Sequence, residues 1–136
     1  MDQSFSGGGE KREFVRVKLE IPIRYKFLCK HIQSPEMDKI YQGKTTNVSG
    51  GGLLLFGVMP DFNWVPELLM QKIVVGVTFL LPDESESVKA LARAAWIETI
   101  DEETKKCNMG LKYQEITAGD RDKIFRFVIK AQLPAM

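Results

Sequence analysis

The chain has 136 residues, a length that fits a single domain. Apolar residues make up 44% of it and charged residues 27%, which is the composition of a folded globular protein and not of a disordered one. Because the net charge is only +1, the chain lacks the overall positive field of proteins that hold nucleic acid or anionic membranes.

Charge is unevenly placed along the chain. Between Glu10 and Lys30 there are seven Lys or Arg residues and three Asp or Glu residues. The remaining residues comprise twelve basic and fifteen acidic ones. The N-terminal part is therefore the predicted anion-binding end of the molecule.

The N-terminus gives no sign of export or membrane insertion. Residues 1–9 end in three glycines and are predicted to form a flexible tail, with one domain over residues 10–136. They lack the basic and apolar regions of a signal peptide, and the longest apolar run, residues 73–82, is half of the roughly 20 residues that a membrane helix needs. Cys29 and Cys107 are too far apart for a zinc-binding pair and are interpreted as free thiols. We expect a cytoplasmic protein without a metal site.

Six segments have the patterns of β-strands. In the first, residues 15–27, apolar and polar residues alternate as in a half-buried antiparallel strand, and Pro22 predicts an edge or a bulge. The other predicted strands are residues 40–46, 51–56, 73–81, 88–100 and 105–113. The segment 73–81 is apolar enough for burial on both faces. In the segment 88–100, Trp96 shares a face with Ala90, Ala92 and Ala94, which favours packing of Trp96 in the core or in a loop. Stacking on a base is the alternative for this tryptophan, and also for Trp64 and Phe14.

The chain ends in a predicted amphipathic helix. Thr117 is a plausible N-cap with Asp120 three residues later, and apolar residues at 124, 125, 128 and 129 recur at helical spacing. The helix is expected to run for about 14 residues and to cover one mouth or side of the sheet. Six antiparallel strands and one helix favour a small closed barrel, because closure removes exposed strand edges.

Two short motifs carry the chemistry of binding. Arg12 and Arg16 lie four residues apart before the first strand, and a guanidinium grips phosphate through two hydrogen bonds or donates to the O6/N7 edge of guanine. Residues 47–52, Asn-Val-Ser-Gly-Gly-Gly, join two strands and combine turn-forming side chains with backbone that a ligand can approach closely. Taken alone, the arginine pair also fits two solvated side chains. Taken alone, the turn also fits a hairpin that binds no ligand.

In this order, the two motifs resemble those of the PilZ family of cyclic di-GMP receptors. Its members carry R-x-x-x-R followed by [D/N]-x-S-x-x-G, which corresponds here to Arg12, Arg16, Asn47, Ser49 and Gly52. Segments 76–82, 92–96, 110–113 and 120–124 also look like the family's later strands and closing helix, so the resemblance extends over residues 10–133.

The resemblance implies a six-stranded antiparallel β-barrel of the split-barrel type with a C-terminal α-helix, and cyclic di-GMP bound on its outer surface. It implies that Arg12 and Arg16 hold phosphates and guanine edges, and that Asn47 and Ser49 contact guanine and phosphate. Gly52 would shape the turn and admit the ligand.

Two further residues are candidate ligand contacts, Lys11 beside the arginines and Gly51 in the turn. With Asn in place of Asp at position 47, the amide accepts through one oxygen only, so affinity is expected to be lower.

The implied function is that of a receptor whose N-terminal arginine segment orders on binding cyclic di-GMP and signals to an unidentified protein partner. Motility, biofilm and polysaccharide control are the family's usual outputs. No cofactor is implied. The alternative is an interaction scaffold on the same fold that binds no nucleotide. A barrel that binds single-stranded nucleic acid is disfavoured by the near-zero net charge. No catalytic motif is present, and the single histidine, His31, is interpreted as a surface residue, so we do not expect an enzyme.

Overall fold

The computed structural model of the chain describes residues 20–132. The elements in chain order are β1 Ile21–Leu28, β2 Tyr41–Thr45, β3 Gly52–Val58, a 3-10 turn Phe62–Trp64, α1 Val65–Leu69, β4 Val74–Phe79, β5 Val88–Asp101, β6 Lys106–Ile116 and α2 Ala118–Gln132. The predicted six-stranded antiparallel barrel with a C-terminal helix is confirmed.

The strands close into a barrel in the order β1-β2-β3-β6-β5-β4, and all neighbours are antiparallel. The pairing of β4 with β1 completes the circle, so the sheet avoids two long open edges. The β2–β3 pair is the shortest, with Lys44 opposite Phe56 and an isolated bridge between Val48 and Leu53. The chain between these two strands is therefore held by other contacts.

Alternation in β1 builds one side of the core. Ile21, Ile23, Tyr25 and Phe27 face inward and are at most 3% exposed. Pairing with β4 begins at Ile23, so the residue before it has a strand neighbour on the β2 side only. That residue is Pro22, which has no N–H to donate. β1 is therefore not the edge strand that the proline had suggested, and only its first residues lack a partner on the β4 side.

The two faces of β4 differ, which corrects the expectation that it is buried on both. Val75, Val77 and Phe79 are at most 2% exposed, whereas the alternate residues, Gly76 among them, are half-buried on the outside. The continuous apolar run in β4 therefore corresponds to a strand whose outer face is also apolar, and not to a strand buried on both faces.

The preferred prediction for Trp96, packing in the core or in a loop, is wrong. Ala90, Ala92 and Ala94 face the core as expected, but the register of β5 against β6 shifts between Ala94 and Trp96. The extra residue, Ala95, reverses the alternation, so the indole points outward and is 47% exposed. A bulge depends on the pairing of two strands and leaves no mark in the periodicity of one.

The terminal helix begins as predicted. The backbone N–H of Asp120 donates to Thr117 Oγ1 at 3.1 Å, which is an N-cap contact. Asp120 Oδ2 accepts from the backbone N–H of Lys89 at 3.1 Å, and this bond fastens α2 to the start of β5. Ile124 is fully buried in the core. The helix therefore covers the barrel where β5 begins.

Candidate functional site

The turn between β2 and β3, residues 47–52, has a fixed backbone. Thr45, the one polar residue in the described part of the chain that is buried, accepts from Asn47 N and donates to Asn47 O, each at 3.2 Å. Ser49 N donates to Gly52 O at 2.9 Å, and Leu54 N donates to Asn47 O at 3.0 Å. The turn is thus a rigid platform that the short β2–β3 pairing alone would not provide.

The polar side chains of this turn are presented to solvent. Asn47 and Ser49 are exposed, and the Ser49 hydroxyl donates to Gly52 O at 3.2 Å. The Asn47 amide has no hydrogen-bond partner among residues 20–132. An amide with free donors and acceptors beside a hydroxyl is suited to read the edge of a base and an adjoining phosphate oxygen.

The three glycines of the turn have different surroundings. A Cβ on Gly52 would collide with the backbone carbonyl of Leu111 on β6, so only glycine permits this approach of β3 to β6. A Cβ on Gly51 would have no atom within 4 Å. The Gly51 carbonyl accepts from Tyr113 N at 3.0 Å, which ties the turn to β6. Gly51 is therefore the open glycine, at which a ligand can approach the backbone.

Two cations lie in register with the turn on the outer face of the barrel. Lys112 of β6 is paired with Gly52, and Arg93 of β5 is paired with Lys112. Lys112 is exposed and Arg93 half-buried, and neither forms an ion pair with a described residue. This row places positive charge on two neighbouring strands beside the turn.

An aromatic surface adjoins this row. Trp96 is paired with Gly110, and a Cβ on that glycine would collide with the indole ring. The ring therefore packs directly on the backbone of Gly110. Leu54 of β3 is opposite Gly110 on the other side. The exposed ring of Trp96 therefore lies beside Gly110, two residues along β6 from Lys112. A purine base can stack on such a ring.

Tyr113, whose backbone N–H is bonded to the turn, packs its side chain against the core of the barrel. Its hydroxyl oxygen is buried and has no hydrogen-bond partner among the described residues. Burial raises the pKa of this hydroxyl well above its ordinary value, and the nearby Arg121 lowers it by a smaller amount. The group is therefore a neutral hydroxyl at physiological pH.

Sequence reasoning identified the turn but missed Arg93 and Lys112 as its neighbours, and it ranked base stacking by Trp96 below packing in the core or a loop. Arg93 and Lys112 alternate with buried residues in their strands, and this pattern marks them as outward-facing. Their alignment with the turn depends on the pairing of β3 with the distant β6, which no local pattern shows.

The predicted contacts Lys11, Arg12 and Arg16 lie outside the described residues. The chain enters β1 beside the turn, however, because Ile21 is paired with Thr45. Arg16 is five residues before Ile21, so a fully extended chain places the two Cα atoms at most about 18 Å apart. Covalent geometry therefore allows Arg16 to contact Asn47 and Ser49 but does not by itself fix its position.

Within residues 20–132, no group of three His, Cys, Asp or Glu side chains is placed to hold a metal ion. In the same part of the chain, no helix has the length and apolar character required to cross a membrane.

Comparison with known proteins identifies a family and similar solved structures. The family model described as PilZ domain matches residues 10–130. The structure of the Bacillus subtilis inhibitor of motility, MotI/DgrA, is similar with a TM-score of 0.59 and 21% sequence identity over 90% of this chain. The chain spans 51% of that protein, and at this identity the likeness shows the fold. No curated protein sequence matches the chain.

Proposed function

We propose that the chain, which belongs to the PilZ domain family of cyclic di-GMP receptors, binds cyclic di-GMP on the outer face of its barrel. The observation that carries the proposal is the rigid turn at residues 47–52. It presents the exposed Asn47 and Ser49 side chains beside the point where the N-terminal segment enters β1. Binding, and not catalysis, is the activity of this family.

The turn supplies the polar contacts in this proposal. The Asn47 amide oxygen accepts one hydrogen bond from a guanine edge, and the Ser49 hydroxyl turns from Gly52 O to a phosphate oxygen. Gly51 allows the ligand to approach the backbone, since nothing lies within 4 Å of its Cβ position. Gly52 acts indirectly, because it allows β3 to lie against Leu111.

The charges and the aromatic ring complete the ligand's surroundings. Cyclic di-GMP carries two phosphates, and a matching number of cations is needed to offset them. Arg12 and Arg16 hold the phosphates and guanine edges, as the family motif implies, and Lys11 adds a point charge. Arg93 and Lys112 contribute further positive charge from the barrel, and Trp96 stacks on a guanine.

We further propose that binding orders the arginine segment and that a protein partner recognises the ordered state. The similar structure is that of an inhibitor of motility, and we propose control of motility as the output of this chain as well. Unchanged amide hydrogen exchange over residues 5–16 on addition of cyclic di-GMP would contradict the ordering step.

The proposal is tested by calorimetric titration of cyclic di-GMP into the full chain, with GTP as the control ligand. Saturable binding with a stoichiometry near one or two, and no binding of GTP, is expected. The stoichiometry distinguishes a single ligand from a stacked pair. If the folded chain releases no heat with cyclic di-GMP, it is a scaffold on the same fold, and the search turns to its protein partner.

A further inference from the structure

A second concave surface lies on the barrel away from the turn. It is an open groove of about 730 Å³ that crosses the outer faces of β1, β4 and β5 and reaches the end of β6. Its floor is aliphatic, with Leu28, Gly76 and Leu91 at the centre. Ile40, which is 66% exposed, also lines the groove. A barrel face that meets only water would carry polar residues at these outward positions.

The rim of the groove is positively charged. Arg24 and Lys26 of β1 and Lys89 of β5 line it, against one acidic residue, Glu115 of β6. Within the described range, none of these three cations has a carboxylate oxygen within the 4.0 Å of an ion pair. The groove therefore offers unneutralised positive charge beside an apolar floor, which is complementary to an acidic and aliphatic ligand.

Gly76 leaves the groove open without a structural need for glycine. A Cβ at this position would meet its nearest neighbours, Leu28 Cδ1 at 3.6 Å and Leu91 Cδ2 at 3.8 Å, in ordinary van der Waals contact. Gly52, by contrast, is required by a backbone carbonyl. A larger residue at position 76 would fill the groove and bury more apolar surface, so the space is not a by-product of strand packing.

We propose that this groove binds an amphipathic helix of a partner protein, with aliphatic residues on its inner face and acidic residues along its flanks. Adjacent strands are about 4.8 Å apart, so four strands give a floor roughly 14 Å wide, which accommodates a helix about 10 Å in diameter. The groove is an open trough, whereas small-molecule sites enclose most of their ligand. The proposal is independent of nucleotide binding.

Segments of the same chain do not have the required charge. Residues 1–19 contain four basic and three acidic residues, so they do not complement a basic rim. Helix α2 of a second copy is also unsuitable, because its basic residues exceed its acidic ones. These are Arg121, Lys123, Arg126 and Lys130 against Asp120 and Asp122. A different protein is the occupant that the charges favour.

The test titrates the isotope-labelled full chain with a synthetic helical peptide and follows backbone amide resonances by NMR. The peptide has leucines at positions i, i+3, i+4 and i+7 with glutamates on both flanks, and a control peptide has lysines in place of the glutamates. The acidic peptide is expected to shift the resonances of Lys26, Gly76 and Leu91, whereas the lysine peptide leaves them unchanged.

Variants separate the groove from general charge effects. Gly76→Leu fills the floor and is expected to weaken peptide binding at least tenfold, and Lys26→Glu with Lys89→Glu is expected to abolish it. Lys30→Glu with Lys72→Glu, at two exposed positions outside the groove, reverses the same number of charges; it is the matched control and should bind as the original chain does. Dispersed amide spectra confirm that each variant is folded.

Any one of three results would overturn the proposal. The first is that the acidic peptide shifts no groove resonance. The second is that the folded Gly76→Leu and charge-reversed variants bind the peptide with unchanged affinity, and the third is that dodecanoate shifts the groove resonances while the peptide does not. The last result would assign the groove to a small anionic amphiphile.

Discussion

Gly50 of the β2–β3 turn lies directly against the ring of Phe125 on α2. A Cβ on this glycine would be 2.6 Å from Phe125 Cε1, which is closer than real side-chain contacts allow. The candidate ligand-binding turn and the terminal helix therefore share a surface. Phe125 is 43% exposed, so its ring can move when the turn changes.

Gly50→Ala is expected to displace the Phe125 ring while the protein stays folded. Because the ring is partly exposed and can rotate away, the loss in free energy of unfolding should be below about 1 kcal/mol. Urea unfolding of Gly50→Ala, Phe125→Ala and the double variant measures the coupling. If the two single effects simply add, the contact is not energetically significant.

Gly52→Ala is expected to destabilise the protein far more than Gly51→Ala. The new Cβ at position 52 meets the Leu111 carbonyl, which is backbone and cannot rotate away, so the β3–β6 pairing must shift. A loss of about 2–3 kcal/mol is expected from such overpacking. Gly51→Ala, with nothing within 4 Å, is the matched control in the same urea titration. Equal stabilities of the two variants would contradict this account of the turn.

Arg16→Ala is expected to lower the affinity for cyclic di-GMP at least tenfold, because a charge-assisted bidentate contact contributes on the order of 1.5–3 kcal/mol. Arg12→Ala should weaken binding to a smaller extent. Calorimetric titration measures both, with the exposed Lys30→Ala as a control for net charge. An unchanged dissociation constant would remove Arg16 from the site.

Trp96→Ala is expected to weaken binding by about 1–3 kcal/mol, the contribution of stacking one base on an aromatic side chain. Trp96 is 47% exposed and Trp64 is 4% exposed, so ligand-induced quenching of tryptophan fluorescence should come from Trp96. Quenching should therefore disappear in Trp96→Phe while affinity is largely retained. Quenching that persists in Trp96→Phe would place the base elsewhere.

Acidification is expected to loosen α2 through Asp120. Burial alone raises the pKa of this carboxyl, but hydrogen bonds from Lys89 N–H and the Lys123 ammonium outweigh it and hold the pKa below its ordinary value of 3.8. As the pH falls, the Asp120 carboxylate is therefore protonated in the unfolded chain at a higher pH than in the folded protein. The stabilisation is complete above the ordinary pKa and is lost as the pH falls through it and below.

The comparison of the original chain with Asp120→Asn isolates this contribution from that of other carboxyls. The difference in free energy of unfolding between the two should be constant near neutral pH and should shrink at acidic pH. A difference that does not change with pH would mean that the Asp120 charge does not stabilise the helix.

The sequence by itself determined the class of fold and the location of the turn. Three local signals could be recognised in the sequence because each depends on only a few neighbouring residues. They are the alternation in β1, the cap at Thr117 and the glycines after Ser49. The family motif added a ligand and named residues to this local information. The bounds of β6 were less predictable, since it extends to Ile116 through its pairing with β5.

Only the tertiary structure decided what surrounds the turn and where Trp96 points. Strand register aligns Lys112 and Arg93 with Gly52, and a bulge at Ala95 turns the indole outward. The groove over Gly76 likewise exists only because β1, β4 and β5 meet at the closure of the barrel. Register, bulges and closure depend on contacts between residues far apart in the chain, and the periodicity of one strand does not encode them.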